Sequence, residues 1–334
     1  MRVTRRVTQA MAGPAFRAAP VRVRVPATSA NLGPGFDTFG LALGLYDDVV
    51  VRVAESGLHV DIAGEGAENL PRDESHLLVR AMRSAFDALG GQPRGLEVVC
   101  ANRIPHGRGL GSSAAAICAG IIAARAVTIG GVERSGALDA PERAALLELA
   151  TELEGHPDNV AACLLGGFTL AWTDDGTGGA GAAPGDAPAA SVRAIRLEPA
   201  GGVVPVVFVP GNPLSTAEAR GLLPRTVPHA DAALTAARAA LFVEALTRRP
   251  ELLLTATEDR LHQDYRAAAM PESTALVARL RADGVPAVIS GAGPTVLAFA
   301  EDGAAEKVAR SAGDGWAANR LDLDREGASV LPLA

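Results

Sequence analysis

Residues 104–120 read IPHGRGLGSSAAAICAG, with glycine at positions 107, 109 and 111, then two serines and a run of small apolar residues. Because glycine has no Cβ, successive main-chain N–H groups can turn toward one point, and a helix that begins near Ser112 adds its own unpaired amides and the positive end of its dipole. The stretch therefore predicts an anion-binding loop at a helix N-terminus. Taken alone, the same residues also fit a flexible loop before a serine-capped packing helix.

The spacing of these glycines excludes two well-known nucleotide-binding loops. The dinucleotide fingerprint has its third glycine one residue later, and the P-loop has a lysine before its Ser or Thr. Lys307 is the only lysine in the chain and stands in the helix-like segment GAAEKVARSAG. P-loop, protein-kinase and pyridoxal phosphate sites are therefore excluded. Any phosphate must be bound by main-chain amides, arginines and a metal ion.

Composition narrows the class of protein. With 334 residues, 48% of them hydrophobic, the chain can bury the core of two domains or of one large domain. A net charge of −7 and an aromatic content of 4% argue against a nucleic-acid partner. No apolar stretch of secretory or membrane-spanning length follows the arginines of the first 24 residues, so we expect a cytoplasmic protein without a membrane partner. Cys100, Cys118 and Cys163 are expected to be buried thiols, since their odd number and apolar surroundings fit neither disulfides nor zinc.

Strand and helix patterns are mixed without a regular βαβ period, which favours an α+β protein over a doubly wound sheet. Residues 1–18 are predicted to be a loose tail. Residues 177–190, TGGAGAAPGDAPAA, have too little bulk to pack, so we place a boundary there between domains 19–190 and 191–334. Predicted strands cover residues 21–25, 46–53, 96–104, 166–174, 203–210, 286–290 and 295–300, and predicted helices begin at Ser75 and Pro141 and cover 217–223, 231–248 and 272–283.

Three motifs resemble those of the GHMP small-molecule kinases and stand in the same order. They are PATSANLGPGFDTFGLAL near the start, PHGRGLGSSAAA, and SGAGPTVLAF near the end. The variants SANLGPGFD, EGHPDN and STAEARGLLP resemble the homoserine kinase branch. The resemblance implies the two-domain GHMP kinase fold, with an N-terminal domain like domain 2 of ribosomal protein S5, a left-handed crossover and a ferredoxin-like C-terminal domain. It further implies phosphorylation of the side-chain hydroxyl of L-homoserine by ATP with Mg²⁺, on the route to threonine, in an enzyme that is commonly a homodimer.

The resemblance also implies where the nucleotide and metal bind. It makes Ser113 and Glu148, which stands eight residues before His156, the ligands of Mg²⁺, a hard ion that prefers oxygen. Glu152 and Glu154 are predicted to be solvated. His76 stands where many relatives have an Asn that contacts the base or ribose, so the base contacts stay open. The implied phosphate-binding residues are Pro105, His106, Gly107, Arg108, Gly109, Leu110, Gly111, Ser112, Ser113 and Ala114.

For the amino acid, the resemblance implies that Asp37 meets the ammonium group and Asn31 meets polar atoms. Arg220, with Arg266 as a second candidate, is suited to hold the carboxylate through a bidentate pair, although Arg266 also fits a surface charge. Local structure alone also accounts for the two aspartates, Asp37 and Asp158. Asp37 fits an Asx-type turn in which it caps a short helix, and Asp158 fits the cap of another helix. A Ser-x-x-Glu capping box fully accounts for Ser215 and Glu218 but leaves Thr216 and Arg220, which share one helix face. The implied substrate-binding residues are Asn31, Asp37, His156, Asp158, Asn159, Arg220, Arg266, Gly291 and Gly293, and the implied catalytic residues are Ser113, Glu148, Thr216 and Arg220.

In-line phosphoryl transfer through a loose transition state needs mainly positioning and charge neutralisation, so we expect no dedicated catalytic base. Two rival hypotheses stay open. The chain could be a GHMP kinase for another small alcohol, such as mevalonate or a sugar, or a regulator that binds ligands without turnover.

Overall fold

The computed structural model describes residues 14–129, 140–174 and 191–333. The strands are β1 (Val21–Ala30), β2 (Phe39–Ala54), β3 (Gly57–Gly64), β4 (Gly95–Asn102), β5 (Phe168–Asp174), β6 (Ser191–Leu197), β7 (Val203–Pro210), β8 (Ala287–Ile289), β9 (Val296–Glu301), β10 (Trp316–Arg320) and β11 (Ser329–Leu331). The α-helices are α1 (Leu77–Ala88), α2 (Ser112–Val127), α3 (Ala140–Glu154), α4 (Pro157–Leu165), α5 (Thr216–Gly221), α6 (His229–Thr247), α7 (Leu253–Ala256), α8 (Gln263–Arg266), α9 (Pro271–Ala282) and α10 (Ala305–Ala309).

The first domain is built on a seven-stranded sheet in the order β11-β1-β2-β4-β3, with β5 paired to β2 and β6 paired to β5. In β1 the valines at 23 and 25 are buried, while Arg22 and Arg24 on the other face bond Asp48 of β2. Helices α2 and α4 pack on β1, and α1 packs on α2. Helix α2 thereby lies in the middle of the domain, where small residues allow close packing.

The second domain has a four-stranded antiparallel sheet in the order β10-β7-β9-β8. Taken along the chain, these strands have the order four-one-three-two of a ferredoxin-like fold, with α9 packed on β8 and α10 packed on β7. The predicted α+β class with a ferredoxin-like second domain is confirmed. Among the described residues, no helix is both long and apolar enough to cross a bilayer.

The structure moves the predicted domain boundary toward the C-terminus. Strand β6 pairs with β5 from Asp174↔Ser191 to Phe168↔Leu197, so the first sheet extends past residue 190 and the second begins only at Val203. The proposed linker at residues 177–190 lies outside the described residues. Because hydrogen bonds join β6 to β5, both strands belong to the first sheet.

The predicted tail is shorter than 18 residues. Residues 1–13 lie outside the described part of the chain, but the ring of Phe16 packs edge-on against Phe86 at 5.6 Å, and the amide of Arg17 donates to the carbonyl of Val127 at 2.7 Å. An aromatic side chain that packs on the core fixes the segment that carries it.

Four phenylalanines join the two domains. Phe39 and Phe168 of the first sheet contact Phe242 of α6, with ring centroids 5.4 and 5.6 Å away, and Phe242 contacts Phe299 of β9 at 6.0 Å. Offset and edge-on pairs at these distances are favourable. The cleft between the domains therefore has walls whose relative position is fixed by packing.

Candidate active site

The cleft between the domains contains a cavity of about 200 Å³ that both domains line. Among the described residues, the cavity brings together most side chains that the sequence analysis selected, although they come from distant parts of the chain. These are Asn31, Asp37, Gly107, Gly109, Gly111, Ser112, Ser113, His156, Asp158, Asn159, Thr216, Arg220, Arg266 and Gly291.

The glycine loop, residues 105–113, presents main-chain amides to this cavity. Gly107, Gly109 and Gly111 have φ of 64°, 77° and 70°, a region that favours glycine. All five carbonyls of residues 107–111 accept hydrogen bonds from other groups, namely the amides of Leu214, Thr295, Thr28 and Ala115 and the hydroxyl of Ser290. Across the described contacts, the N–H groups of residues 107–113 have no main-chain or side-chain acceptor. Held carbonyls and unpaired amides are the arrangement that an anion-binding loop requires.

Helix α2 begins directly after this loop without a side-chain cap. Its N-cap is Gly111 in the left-handed conformation, and no side chain accepts from its first amides. The serine-capped alternative therefore does not describe this helix. The first-turn amides and the positive end of the helix dipole stay available to a ligand.

Ser113 donates to a carboxylate, but the carboxylate belongs to Glu154. The hydroxyl lies 2.6 Å from Oε1 of Glu154, and Glu154 lines the cavity. Burial raises the pKa of Glu154, and the Ser113 hydrogen bond partly offsets that rise. A carboxylate and a hydroxyl in contact form an oxygen pair suited to a hard divalent cation.

The sequence-based choice of Glu148 as metal ligand is corrected by this geometry. The side chain of Glu148 is exposed and does not line the cavity, whereas Glu154 is partly buried beside Ser113 instead of solvated. Glu148 lies six residues earlier on α3, more than one and a half helical turns from the cavity. Glu154 replaces it as the candidate ligand.

The segment after α3 places three polar side chains in the cavity wall. Nδ1 of His156 lies 2.6 Å from Oδ1 of Asp158, and this contact raises the pKa of His156. The same Asp158 oxygen accepts the amide of Asn159 at 2.7 Å, and Oδ1 of Asn159 accepts the hydroxyl of Thr28 at 2.8 Å. Helix α4 begins at Pro157, so Asp158 lies inside its first turn instead of capping it.

Opposite this wall, Asp37 and Arg220 form a bidentate ion pair across the two domains. Nη2 and Nη1 of Arg220 lie 2.6 and 3.1 Å from the two carboxylate oxygens, and both side chains are about one-third exposed. Thr216 lies on the same face of α5 and also lines the cavity. The predicted capping box is present in part, because the Ser215 hydroxyl accepts the amide of Glu218.

Asn31 lines the cavity, and its side-chain amide also makes two hydrogen bonds within the protein. It is 5% exposed; its Oδ1 accepts the amide of Asp37 at 2.9 Å, and its Nδ2 donates to the carbonyl of Gly291 at 2.9 Å. Asn31, Leu32 and Asp37 all have φ between 50° and 68°. Strain of this kind persists where surrounding contacts fix the backbone, so Asn31 serves to hold Asp37 in place.

The Gly-rich turn of the second domain closes the cavity over the glycine loop. Its Ser290 hydroxyl bonds the carbonyl of Gly109 and the hydroxyl of Ser29, and the amide of Gly291 donates to Ala30. Gly291 lines the cavity, but Gly293 packs against Met270 outside it.

Some predicted phosphate-binding residues also lie outside this cavity. Ala114 is fully buried in α2. The remaining ones lie on other surfaces: Pro105, Arg108 and Leu110 line a groove beside β7 and β10, and His106 lines a second cavity.

The second cavity, of about 230 Å³, adjoins the first because Ser112 and Ser113 line both. Its walls are largely apolar, but Nε2 of His76 and Nε2 of His106 are buried there without hydrogen-bond partners. Nδ1 of His76 accepts the amide of Leu78 at 3.2 Å, so in the neutral ring Nε2 carries the hydrogen. An apolar slot with an unpaired donor next to a phosphate-type loop fits a planar heterocycle.

Comparison with known proteins agrees with this arrangement. The model of the GHMP kinases N terminal domain matches residues 76–167, and that of the GHMP kinases C terminal domain matches residues 233–318. The chain belongs to the GHMP kinase family. The two matched regions contain the glycine loop and the Gly-rich turn, which are the parts of this GHMP kinase that meet at the cavity.

Similar proteins cover nearly the whole chain. A homoserine kinase from Streptomyces avermitilis is 75% identical over 97% of this chain and 100% of its own length, and one from Streptomyces coelicolor is 74% identical over 97% and 98%. The crystal structure of homoserine kinase from Cytophaga hutchinsonii, 24% identical, superposes with a TM-score of 0.76 over 96% of this chain and 100% of that one. At that identity the superposition shows the fold alone.

Sequence reasoning missed Phe36 and His262 near the cavity. The Phe36 ring lies against both arginines, 5.8 Å from Cζ of Arg220 and 5.5 Å from Cζ of Arg266, distances typical of cation–π contact. His262 is fully buried beside Arg266. Phe36 stands in the SANLGPGFD motif, where only Asn31 and Asp37 were selected, and His262 stands four residues before Arg266. The contacts of both residues with the arginines become visible only in the fold.

Proposed function

We propose that the chain transfers the γ-phosphoryl group of ATP to the side-chain hydroxyl of L-homoserine, giving ADP and O-phospho-L-homoserine for threonine biosynthesis. One observation carries the proposal: a single cavity has an anion-binding loop on one wall and an opposed acid and arginine pair on the other. The 75% identity to a homoserine kinase supports this choice of amino acid.

The acid and arginine pair suits a zwitterion. Asp37 can receive the ammonium group and Arg220 the carboxylate, so each charge of the substrate replaces one partner of the existing pair. Because partly exposed ion pairs contribute only ~0–1 kcal/mol, the exchange costs little. Arg266, buried beside the pair, offers a second guanidinium for the carboxylate. Mevalonate lacks the ammonium group that Asp37 would bind.

The donor set also fits a magnesium ion. Ser113 and Glu154 would hold it together with nucleotide oxygens, and the ion would neutralise charge on the transferring phosphates. No group of three or more His, Cys, Asp or Glu side chains in the described ranges could bind a metal without such outside ligands. A two-ligand protein site that relies on nucleotide oxygens and water is usual for Mg²⁺.

Transfer requires the substrate oxygen to form a bond to the γ-phosphorus while the bond to the bridging oxygen breaks. The amides of the glycine loop and the N-terminal end of α2 face the phosphates and stabilise their charge. The hydroxyl proton passes to the phosphoryl oxygen late in the reaction, since a metaphosphate-like centre demands little nucleophilicity.

Asp158 is the carboxylate to test as a base. Its Oδ1 already accepts from His156 and from the amide of Asn159, which suits an orienting role. We expect Asp158→Asn to lower kcat by less than about 100-fold, below the upper range of general-base catalysis. Steady-state kinetics with both substrates measures this. A loss of about 10⁴-fold with unchanged KM for homoserine would make Asp158 the base.

The second cavity is the proposed site of adenine, where Nε2–H of His76 would donate to a ring nitrogen. We expect His76→Ser to weaken ADP binding by about 3- to 10-fold, the value of one hydrogen bond, and to leave KM for homoserine unchanged. Ser retains the N-cap of α1, so the unfolding temperature should stay close to that of the parent. Calorimetric titration of ADP measures the effect. An affinity for ADP equal to that of the parent would show that adenine binds elsewhere.

The direct test is mass spectrometry of a reaction containing ATP, Mg²⁺ and L-homoserine, with phosphohomoserine as the expected product. A coupled ADP-release assay then compares homoserine, mevalonate, galactose and shikimate. Turnover confined to a substrate without an amino group would show another GHMP kinase activity. Tight ATP binding without ADP release from any alcohol would show a binding protein.

A further inference from the structure

His262 connects two parts of the site without touching the cavity. It precedes α8 and its side chain is fully buried. Nε2 lies 2.8 Å from the carbonyl of Gly33, in the loop that ends at Asp37, and Nδ1 lies 3.3 Å from Nη1 of Arg266. The imidazole therefore bridges the loop that carries the acid and one of the two arginines.

The two contacts determine the protonation state of the ring. A carbonyl only accepts, so Nε2 must carry a hydrogen to bond Gly33. A guanidinium only donates, so Nδ1 must offer a lone pair to Arg266. Both contacts exist together only for the neutral Nε2–H tautomer.

The surroundings of His262 agree with a neutral ring. Its burial lowers the pKa of His262. Asp259 lies 3.5 Å from Nε2, but its carboxylate accepts the amides of Leu261, His262 and Gln263. The other charged groups that face the ring are Arg266 and, farther off, Asp37. An imidazolium would direct an N–H at the guanidinium and lose the acceptor.

Arg266 is held from two sides. Its Nε donates to the carbonyl of Ala219 at 3.1 Å and its Nη1 to His262, and the side chain is 2% exposed. The described hydrogen bonds leave its Nη2 without an acceptor, and Arg266 lines the first cavity. The orientation of this remaining donor depends on the two protein acceptors.

We infer that His262 is a positioning residue that aims Arg266 at the substrate carboxylate and keeps this arginine in register with the Asp37 loop. The inference rests on the proposed function, since it needs an amino acid in the cavity. Recognition of the substrate carboxylate then depends on a residue that does not itself touch the substrate.

The test compares His262→Leu, which removes both contacts, with His262→Asn, whose carbonyl on Cγ can replace the Nδ1 acceptor. We expect Leu to raise KM for L-homoserine by about 10- to 100-fold with KM for ATP unchanged, the effect of disturbing a charged hydrogen bond. Asn should restore KM for homoserine to within about threefold of the parent. If the Leu variant does not fold, His262→Gln takes its place in the comparison with Asn. Gln retains the donor to Gly33 but lacks the acceptor that Nδ1 offers to Arg266.

A substrate analogue without the carboxylate distinguishes loss of Arg266 positioning from a general disturbance of the site. The compound 3-aminopropan-1-ol is homoserine without its carboxylate, so its inhibition constant should be the same for the parent and the Leu variant. Equal weakening of homoserine and of this amine, or an unchanged KM for homoserine in the Leu variant, overturns the inference. Absence of phosphohomoserine with the parent protein would instead refute the proposed function.

Discussion

Glu154→Gln is expected to lower kcat by about 10²- to 10³-fold and to raise the Mg²⁺ concentration needed for half-maximal rate. The carboxylate lies 2.6 Å from the Ser113 hydroxyl at the N-terminus of α2. A neutral amide is a poorer ligand for a hard cation, and metal charge stabilisation supplies several kcal/mol to phosphoryl transfer. Magnesium titrations at saturating ATP and homoserine measure both quantities.

The chain provides a matched control for this variant. Glu148→Gln makes the same chemical change on the same helix, at an exposed position that the cavity does not include. We expect its kcat and magnesium dependence to stay within about twofold of the parent, as for most exposed substitutions. The reverse result, with a defect in the Glu148 variant and none in the Glu154 variant, would show that Glu148 is the metal ligand, as the resemblance implied.

Gly109→Ala is expected to lower kcat/KM for ATP by at least about 100-fold and to destabilise the fold by ~2–4 kcal/mol. A Cβ at this position would lie 2.3 Å from the carbonyl oxygen of Ser290 and 2.9 Å from that of Gly293. Both atoms are main chain, so relief requires the Gly-rich turn to move away from the glycine loop. That movement would also turn the amides away from the phosphates.

The variant Gly57→Ala serves as a control that has the backbone strain of Gly109→Ala without its close contact to Ser290. Gly57 has the same φ of 77° as Gly109, but a Cβ there meets nothing within 4 Å. We expect it to cost only the ~1–2 kcal/mol of a left-handed alanine, with unchanged kinetics. Denaturant unfolding measures the stability of both variants, and steady-state kinetics with ATP measures their kcat/KM. Equal kinetic defects would mean that the contact with Ser290 has no part in catalysis.

The sequence predicted the glycine loop well because its signal is local. Alternating glycines before a helix predict a loop with positive φ, and each of the three glycines has it. Helix α1, whose apolar residues form a clear stripe, begins within two residues of its predicted start, and α6 and α9 also lie within two residues of their predicted bounds. The first half of β2 was missed because residues 39–43 are buried on both faces, and such a strand shows no alternation.

The choice between Glu148 and Glu154 could not be made from periodicity. Both residues belong to α3, and only the packing of α3 and α2 shows which carboxylate reaches Ser113. The resemblance implied that Asn31 meets polar atoms of the substrate, but it did not indicate the hydrogen bonds that Asn31 makes to Asp37 and Gly291. The contact with Gly291 joins segments 260 residues apart, and such a contact leaves no trace in the local sequence.

The pairing of β11 with β1 has a consequence for how the protein is made. Residues 329–331 cover the outer edge of β1 at residues 22–24, although the whole second domain lies between them in the chain. An uncovered strand edge is a template for pairing with other polypeptides. During synthesis, the outer edge of β1 therefore stays without its partner strand until the second domain has been made, because β11 follows that domain in the chain.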